Sequence, residues 1–245
     1  VFLAPFFLFW LLILYSVNKG VSGILQSQEG IMASSAIYGT DGALNLFIEH
    51  PPSISLFYLV ALSTMPFFMV LAGYDQFSSD FGSGFFRFLI TRCKRIEIFL
   101  ARFLSVLSLI AGSFLIVAVN CAIISISNDA YPTMDVLLYS TQVYFTLLLY
   151  ALAFIAYMSL ISSLVRSTLA ALFLGMLGCG LIVLFKFFAK FTAEKSIVSF
   201  LLANGVMDYL FELDTRDFYM ALAILPAYIL VYTGLAFAIF NRRNL

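Results

Sequence analysis

Gly73-Tyr-Asp-Gln-Phe-Ser-Ser-Asp80-Phe-Gly-Ser-Gly84-Phe-Phe-Arg87-Phe-Leu-Ile-Thr-Arg92-Cys-Lys-Arg95, continuing to Arg102, is the one long charged interruption of an otherwise apolar chain. It lies between two hydrophobic runs and carries Arg87, Arg92, Lys94, Arg95 and Arg102, five of the thirteen basic residues. The 245 residues as a whole are 63% hydrophobic and 11% charged. A soluble domain carries about a quarter charged residues, so water would not hold this chain as a monomer. The class expected is all-α, a polytopic membrane protein. The apolar runs are long and continuous rather than short and alternating, which argues against an outer-membrane barrel.

Outward from the interruption, the flanking apolar runs are 56–71 and 99–126. Others cover 1–17, 143–164, 169–188 and 218–240, so six spans are expected in one transmembrane domain over 1–245, with the charged interruption at 73–98 between the second and third. About 20 apolar residues cross the hydrocarbon core, so the first run is short for a span. Val1 starts inside that run with neither a basic n-region nor a cleavage site; no signal peptide is expected, and further residues are expected upstream. The connections at 18–55, 128–142 and 189–217 are polar, whereas 165–168 is a tight turn. A second apolar patch at 197–202 reads as a re-entrant or interfacial helix.

The connections sort into two groups by charge. Segment 73–102, the 165–168 turn and the tail hold eight basic residues (Arg87, Arg92, Lys94, Arg95, Arg102, Arg166, Arg242 and Arg243) against Asp75, Asp80 and Glu97. The other group holds five, Lys19, Lys186, Lys190, Lys195 and Arg216, against ten acids. Basic residues favour the cytoplasmic side, which places the 73–102 segment and both termini in the cytoplasm. The expected location is the cytoplasmic membrane, multi-pass. Positive-inside anchoring explains the charge of the segment but not its order. In helical periodicity Phe85, Phe88 and Leu89 share one face and Arg87 and Thr91 another, the pattern of an amphipathic helix lying on the cytoplasmic surface.

That order resembles the ABC-2 type transporter permeases, in particular the six-span branch that includes the nitrous-oxide-reductase maturation permease. There the second span runs into an acidic residue, a Gly-Thr/Ser-Leu-Arg-like step, a Leu-Leu pair and a Ser-Arg, and a Lys opens the third span. This chain offers Asp80 as the acid, Gly84-Phe-Phe-Arg87 as the Gly step, Leu89-Ile90 as the pair, Arg95 as the Arg and Arg102 as the Lys. The ending Phe240-Asn-Arg-Arg-Asn-Leu245 resembles the family's usual tail. Phe85 departs from the family's small hydroxyl residue, so the cap that residue would supply is absent. Cys93-Lys94 replaces a frequent Pro. The match covers about thirty residues, and the six-span layout extends it to the whole chain.

The resemblance implies a half-transporter paired with a second copy or a paralogue. Each half receives a separate cytoplasmic ATPase at the coupling helix, and ATP and Mg reside on that ATPase. The implied docking residues are Asp80, Gly84, Phe85, Arg87, Phe88, Leu89, Arg92, Arg95 and Arg102. Phe85, Phe86, Phe88 and Leu89 would enter an apolar cleft while Arg87, Arg92 and Arg95 fix register by charge.

Absent motifs narrow the reading further. No Gly-x-x-x-x-Gly-Lys-Ser/Thr occurs, so ATP hydrolysis is expected on another polypeptide. No nucleophile elbow and no His-Glu-x-x-His occur, and the single His50 sits beside Pro51-Pro52. Neither an enzyme, a cofactor site, a metal site nor nucleic-acid binding is expected. Cys93, Cys121 and Cys179 suggest no disulfide framework.

Within the spans, Ser63-Thr-Met-Pro66 marks a kink that either gates a translocation path or is a static bend supported by Ser63 or Thr64. Ala171, Gly175 and Cys179, four apart, permit close helix approach, either inside one subunit or between two. In the family the second and fifth spans face the central axis. Asn120 is expected to be a buried amide with a helix partner, and Lys186 to reach outward to the interface. Asp208, Glu212, Asp214 and Asp217 form an acidic cluster in the last outer loop, read as a solvated loop ahead of a meeting point for a cationic substrate or partner.

Three readings of function remain. The first is an ATP-driven permease, exporting rather than importing, embedded in a lipid bilayer. The alternative is an ABC-type subunit that relays ATPase motion through the 18–55 loop to an outer-side accessory protein. A membrane enzyme or ATP-independent carrier comes last, because catalytic constellations and mid-span charges are missing.

Overall fold

The computed structural model describes residues 3–16, 46, 50–128, 131–192, 203–211, 213 and 215–242. In chain order the helices are α1 Leu3–Ser16, α2 Pro52–Gly73, α3 Ser78–Ser83, α4 Phe86–Ile90, α5 Arg95–Asn128, α6 Thr133–Leu164, α7 Thr168–Thr192, α8 Met207–Leu210 and α9 Arg216–Arg242. A 3-10 turn, Ala203–Val206, leads into α8. No strand occurs among the described residues.

Each of the six apolar runs is therefore helical over its described residues. Four helical stretches, Pro52–Ser83, Arg95–Ser127, Thr133–Leu164 and Arg216–Arg242, are long and apolar enough to cross a bilayer. α1 has 14 residues. At 1.5 Å per residue it rises about 21 Å, less than the ~30 Å of a hydrocarbon core. In α7 the apolar stretch is Thr168–Leu181. The fold is all-helical and suited to a membrane. The patch at 197–202, the Lys186 side chain and Glu212 and Asp214 lie outside the described residues.

Local chemistry sets the helix starts. Pro52 takes the first helical position of α2, where its missing N–H is not needed, and the Pro51 carbonyl accepts from Ile54 N and Ser55 N at 3.2 and 3.1 Å. Glu97 Oε2 accepts from the Lys94 backbone N–H at 3.0 Å, one half of a capping box at the head of α5. Thr215 Oγ1 accepts from Phe218 N at 3.2 Å and caps α9. One expectation is corrected: the 128–142 connection is largely helix. α6 begins at Thr133, with the Pro132 carbonyl accepting from Asp135 N and Val136 N at 3.1 and 3.2 Å. The polar residues there lie on a helix that buries Val136 and Tyr139.

The chain divides into two compact units: 1–64, 111–148 and 207–222 in one, 65–110, 149–206 and 223–245 in the other. In the first, Phe6, Trp10, Phe57 and Phe114 form a buried aromatic core, with Trp10 at 5.0 Å from Phe57 and Phe6 edge-on to Phe114 at 5.4 Å. Tyr58 Oη donates to the Leu210 carbonyl at 2.6 Å and ties α2 to α8. The Ser55 and Tyr139 hydroxyls meet at 3.0 Å, and His50 stacks on Tyr139 at 4.2 Å.

In the second unit, α7 packs closely against its own chain. A Cβ on Gly175 would lie 2.7 Å from Met158 Sδ and 3.1 Å from a Val70 methyl, and one on Gly178 would collide with the Tyr157 hydroxyl. A side chain at either position would have to displace its neighbour, the Met158 thioether at Gly175 and the Tyr157 hydroxyl at Gly178. The unit's other core gathers Phe77, Phe86, Ile98, Phe99, Ala236 and Phe240, with Phe81, Leu89, Leu160 and Phe237 packed against it.

Candidate functional site

The 73–102 segment is built on that second core. Gly73 ends α2, and the backbone turns through 74–77, with Gln76 N donating to the Gly73 carbonyl at 3.2 Å. α3 follows, with Ser78 Oγ donating to the Tyr74 carbonyl at 2.8 Å. Gly84 then stops α3 in the left-handed region, φ 71°, and its N–H and that of Phe85 reach back to the Asp80 carbonyl. No atom stands within 4 Å of a Cβ built on Gly84, so backbone conformation alone demands glycine here. Phe85 supplies no side-chain cap to α4.

This break changes the amphipathic pattern. The single surface helix expected across the segment is two short helices instead. Phe86 is 1% exposed and Leu89 packs beside it in the core, whereas Phe85 is 46% and Phe88 73% exposed. Leu89 therefore leaves the face it was expected to share with Phe85 and Phe88. Phe88 is followed on the outer surface by Thr91, Arg92, Cys93 and Lys94, all exposed. Thr91 Oγ1 donates to the Phe88 carbonyl at 2.7 Å, and Cys93 N to the Leu89 carbonyl at 2.9 Å, which closes the turn.

Arg102 and Arg95 are instead partnered within the chain. Arg102 Nη2 forms an ion pair and hydrogen bond with Asp80 Oδ2, joining α5 to α3, with side-chain exposures of 41% and 15%. Arg95 Nη1 donates to the Phe240 carbonyl at 3.4 Å and to the Asn241 carbonyl. Both cations hold the segment to its own chain. The Arg87 side chain lies outside the described residues. What faces outward is a pair of aromatic rings flanked by Arg92 and Lys94 on a stiff base. Burying a Phe side chain is worth about 1.5–3 kcal/mol, so this pair holds a favourable term for any partner that covers it. An exposed aromatic and basic surface of this kind is suited to docking.

Behind the turn, the α3 residue Gly82 meets the connection between α6 and α7. A Cβ on Gly82 would lie 2.7 Å from the Arg166 carbonyl oxygen. Deeper in, Gln76 is 4% exposed; its Oε1 lies 2.9 Å from Ser159 Oγ, and its Nε2 is buried without a hydrogen-bond partner.

The candidates inside the spans are scattered. Ser63 Oγ donates to the Leu59 carbonyl at 2.9 Å and Thr64 Oγ1 to the Val60 carbonyl at 2.7 Å, each one turn back along α2. Pro66 is buried within α2, Ser63 is exposed and Thr64 is intermediate. Gly175 and Cys179 are buried, Gly175 against Met158 and Val70, so the small-residue stripe packs inside this chain. Asn120 is corrected: it is exposed, and its Nδ2 donates to the Ile116 carbonyl of its own helix at 2.7 Å. Asp217 is exposed in the first turn of α9, where a negative charge suits the helix dipole.

Sequence reasoning missed Phe77, Phe81, Phe237 and Phe240. The signal was present as four-residue and three-residue spacings of Phe at the edges of two spans. The class that fold and site define is an all-helical protein with four helices long and apolar enough to cross a membrane and an exposed aromatic and basic face. No family model matches the sequence, and no curated protein matches it.

Proposed function

We propose that this chain is the permease subunit of an ATP-binding-cassette transporter, of the ABC-2 type with six spans. It moves substrate outward across the cytoplasmic membrane, powered by a separate P-loop ATPase seated on the 73–102 segment. Both termini lie in the cytoplasm, and two such subunits form the pathway. The observation that carries the reading is the outward pair Phe85 and Phe88 beside Arg92 and Lys94, braced from behind by Phe86 and Leu89. A docking surface must transmit motion rather than absorb it, and rings locked in a core give that stiffness. The basic flank favours an acidic rim around an apolar slot on the ATPase.

Affinity purification from native membranes tests this. The wild-type chain is expected to bring down a P-loop ATPase, and Phe88→Asp and Arg92→Glu to lose it while helical content is unchanged. Retention of the ATPase by both variants would overturn the docking assignment. A wild-type purification with no ATPase would overturn the class.

A further inference from the structure

The 77–99 segment has a third attachment in the fold. Covalently, segment 77–99 continues only into α2 and α5. Yet its inner face converges on the last helix. The Phe240 ring has four aromatic neighbours, Phe77 at 5.5 Å, Phe81 at 5.9 Å, Phe86 at 5.4 Å and Phe99 at 5.9 Å. Phe237 adds a contact to Phe99 at 5.4 Å. Phe240 is 0% exposed although α9 ends at Arg242. Helix ends ordinarily fray, and their last carbonyls lack intrahelical partners. Here the Phe240 and Asn241 carbonyls are taken by Arg95, whose cation also suits the negative end of the helix dipole. Arg95 is itself the first residue of α5, so one side chain fastens the head of one long helix to the foot of another.

We infer that the C-terminal end of α9, through Phe240 and the carbonyls gripped by Arg95, is a built-in part of the docking platform and takes up displacement of the 77–99 segment. Phe86 is the relay. It sits next to exposed Phe85 in sequence and edge-on to Phe240 in space. A push on the outer rings reaches α9 through one residue. Arg95 and Phe240 are positioning residues, acting through the segment rather than on a ligand. The inference rests on the proposed function only in naming an ATPase as the source of the push; the linkage is a property of this chain alone.

Hydrogen exchange of the full chain in lipid nanodiscs tests the linkage without a partner. Phe240→Ala and, separately, Arg95→Gln are expected to speed exchange of amides 86–90 and 95–99 by about tenfold, with amides 54–62 unchanged. Phe240→Leu is expected to recover most of the protection. Unchanged exchange at 86–99, or equal acceleration at 54–62, would overturn the inference. With an ATPase present, Phe240→Ala is expected to keep it bound while stimulated ATP hydrolysis falls about fivefold; full stimulation would also overturn it. If the exchange responds but wild-type chain binds no ATPase, the linkage stands and the proposed function falls. If the ATPase binds and exchange does not respond, the reverse holds.

Discussion

Replacing Gln76 with Leu is expected to stabilise the protein. The Gln76 side chain is 4% exposed, and its amide nitrogen has no acceptor. Its oxygen has one neighbour, Ser159 Oγ at 2.9 Å, but that hydroxyl also has the Ile155 carbonyl at 2.8 Å. A hydroxyl carries one hydrogen, so Gln76 receives at best a share of it. A buried polar group without a partner costs about 1–3 kcal/mol, while a net hydrogen bond returns about 0.5–1.5 kcal/mol. Leu removes both, for a net gain of about 1–2 kcal/mol. For a chain of this length that corresponds to roughly 2–8 °C in Tm. The assay follows thiol exposure on heating, since Cys121 and Cys179 are buried and the exposed Cys93 can be removed as Cys93→Ser. A fall in Tm of more than about 3 °C for Gln76→Leu would refute the reasoning, because it would mean that the amide is satisfied. A rise in Tm with loss of activity would mark Gln76 as a polar group kept for function at a cost in stability.

Three further perturbations follow from single contacts. Gly84→Ala forces a side chain into the left-handed region and is expected to cost about 1–2 kcal/mol, read by the same thermal assay; an unchanged Tm would refute the αL stop. Gly178→Ala should destabilise by collision with the Tyr157 hydroxyl, and Tyr157→Phe should restore part of the loss; absence of rescue would show that the clash lies elsewhere. A double-mutant cycle on Asp80→Asn and Arg102→Gln is expected to give a coupling of about 1 kcal/mol, between exposed and buried ion pairs, and additive effects would refute the pair.

The helices were legible because hydropathy alone marks them: the six long apolar runs are helical over their described residues. Boundaries failed where a helix continues with mixed polarity. Asp135, Ser140, Thr141 and Gln142 read as a connection, yet they belong to α6 because Val136 and Tyr139 find a core. Within the docking segment, charge and aromatic content were legible but direction was not. Arg92 and Arg95 are indistinguishable in sequence. One faces outward and the other grips the end of α9, a distinction that depends on where residue 240 arrives. The same arrival turns Phe86 and Leu89 inward; Phe85 and Phe88 share the outer face, as periodicity expects, and Leu89 alone leaves it.

The contact between Gly82 and the Arg166 carbonyl bears on how this sequence can drift. Surface connections usually absorb insertions readily, since loop closure entropy grows slowly with length. The 165–167 turn has no such latitude. Its backbone is seated on the Cα of Gly82, where even a methyl group would stand 2.7 Å from the oxygen. Any added residue in the turn, or any side chain at position 82, would lift the connection off the platform beneath it. The length of this three-residue turn is thus tied to a glycine eighty-four residues away in sequence.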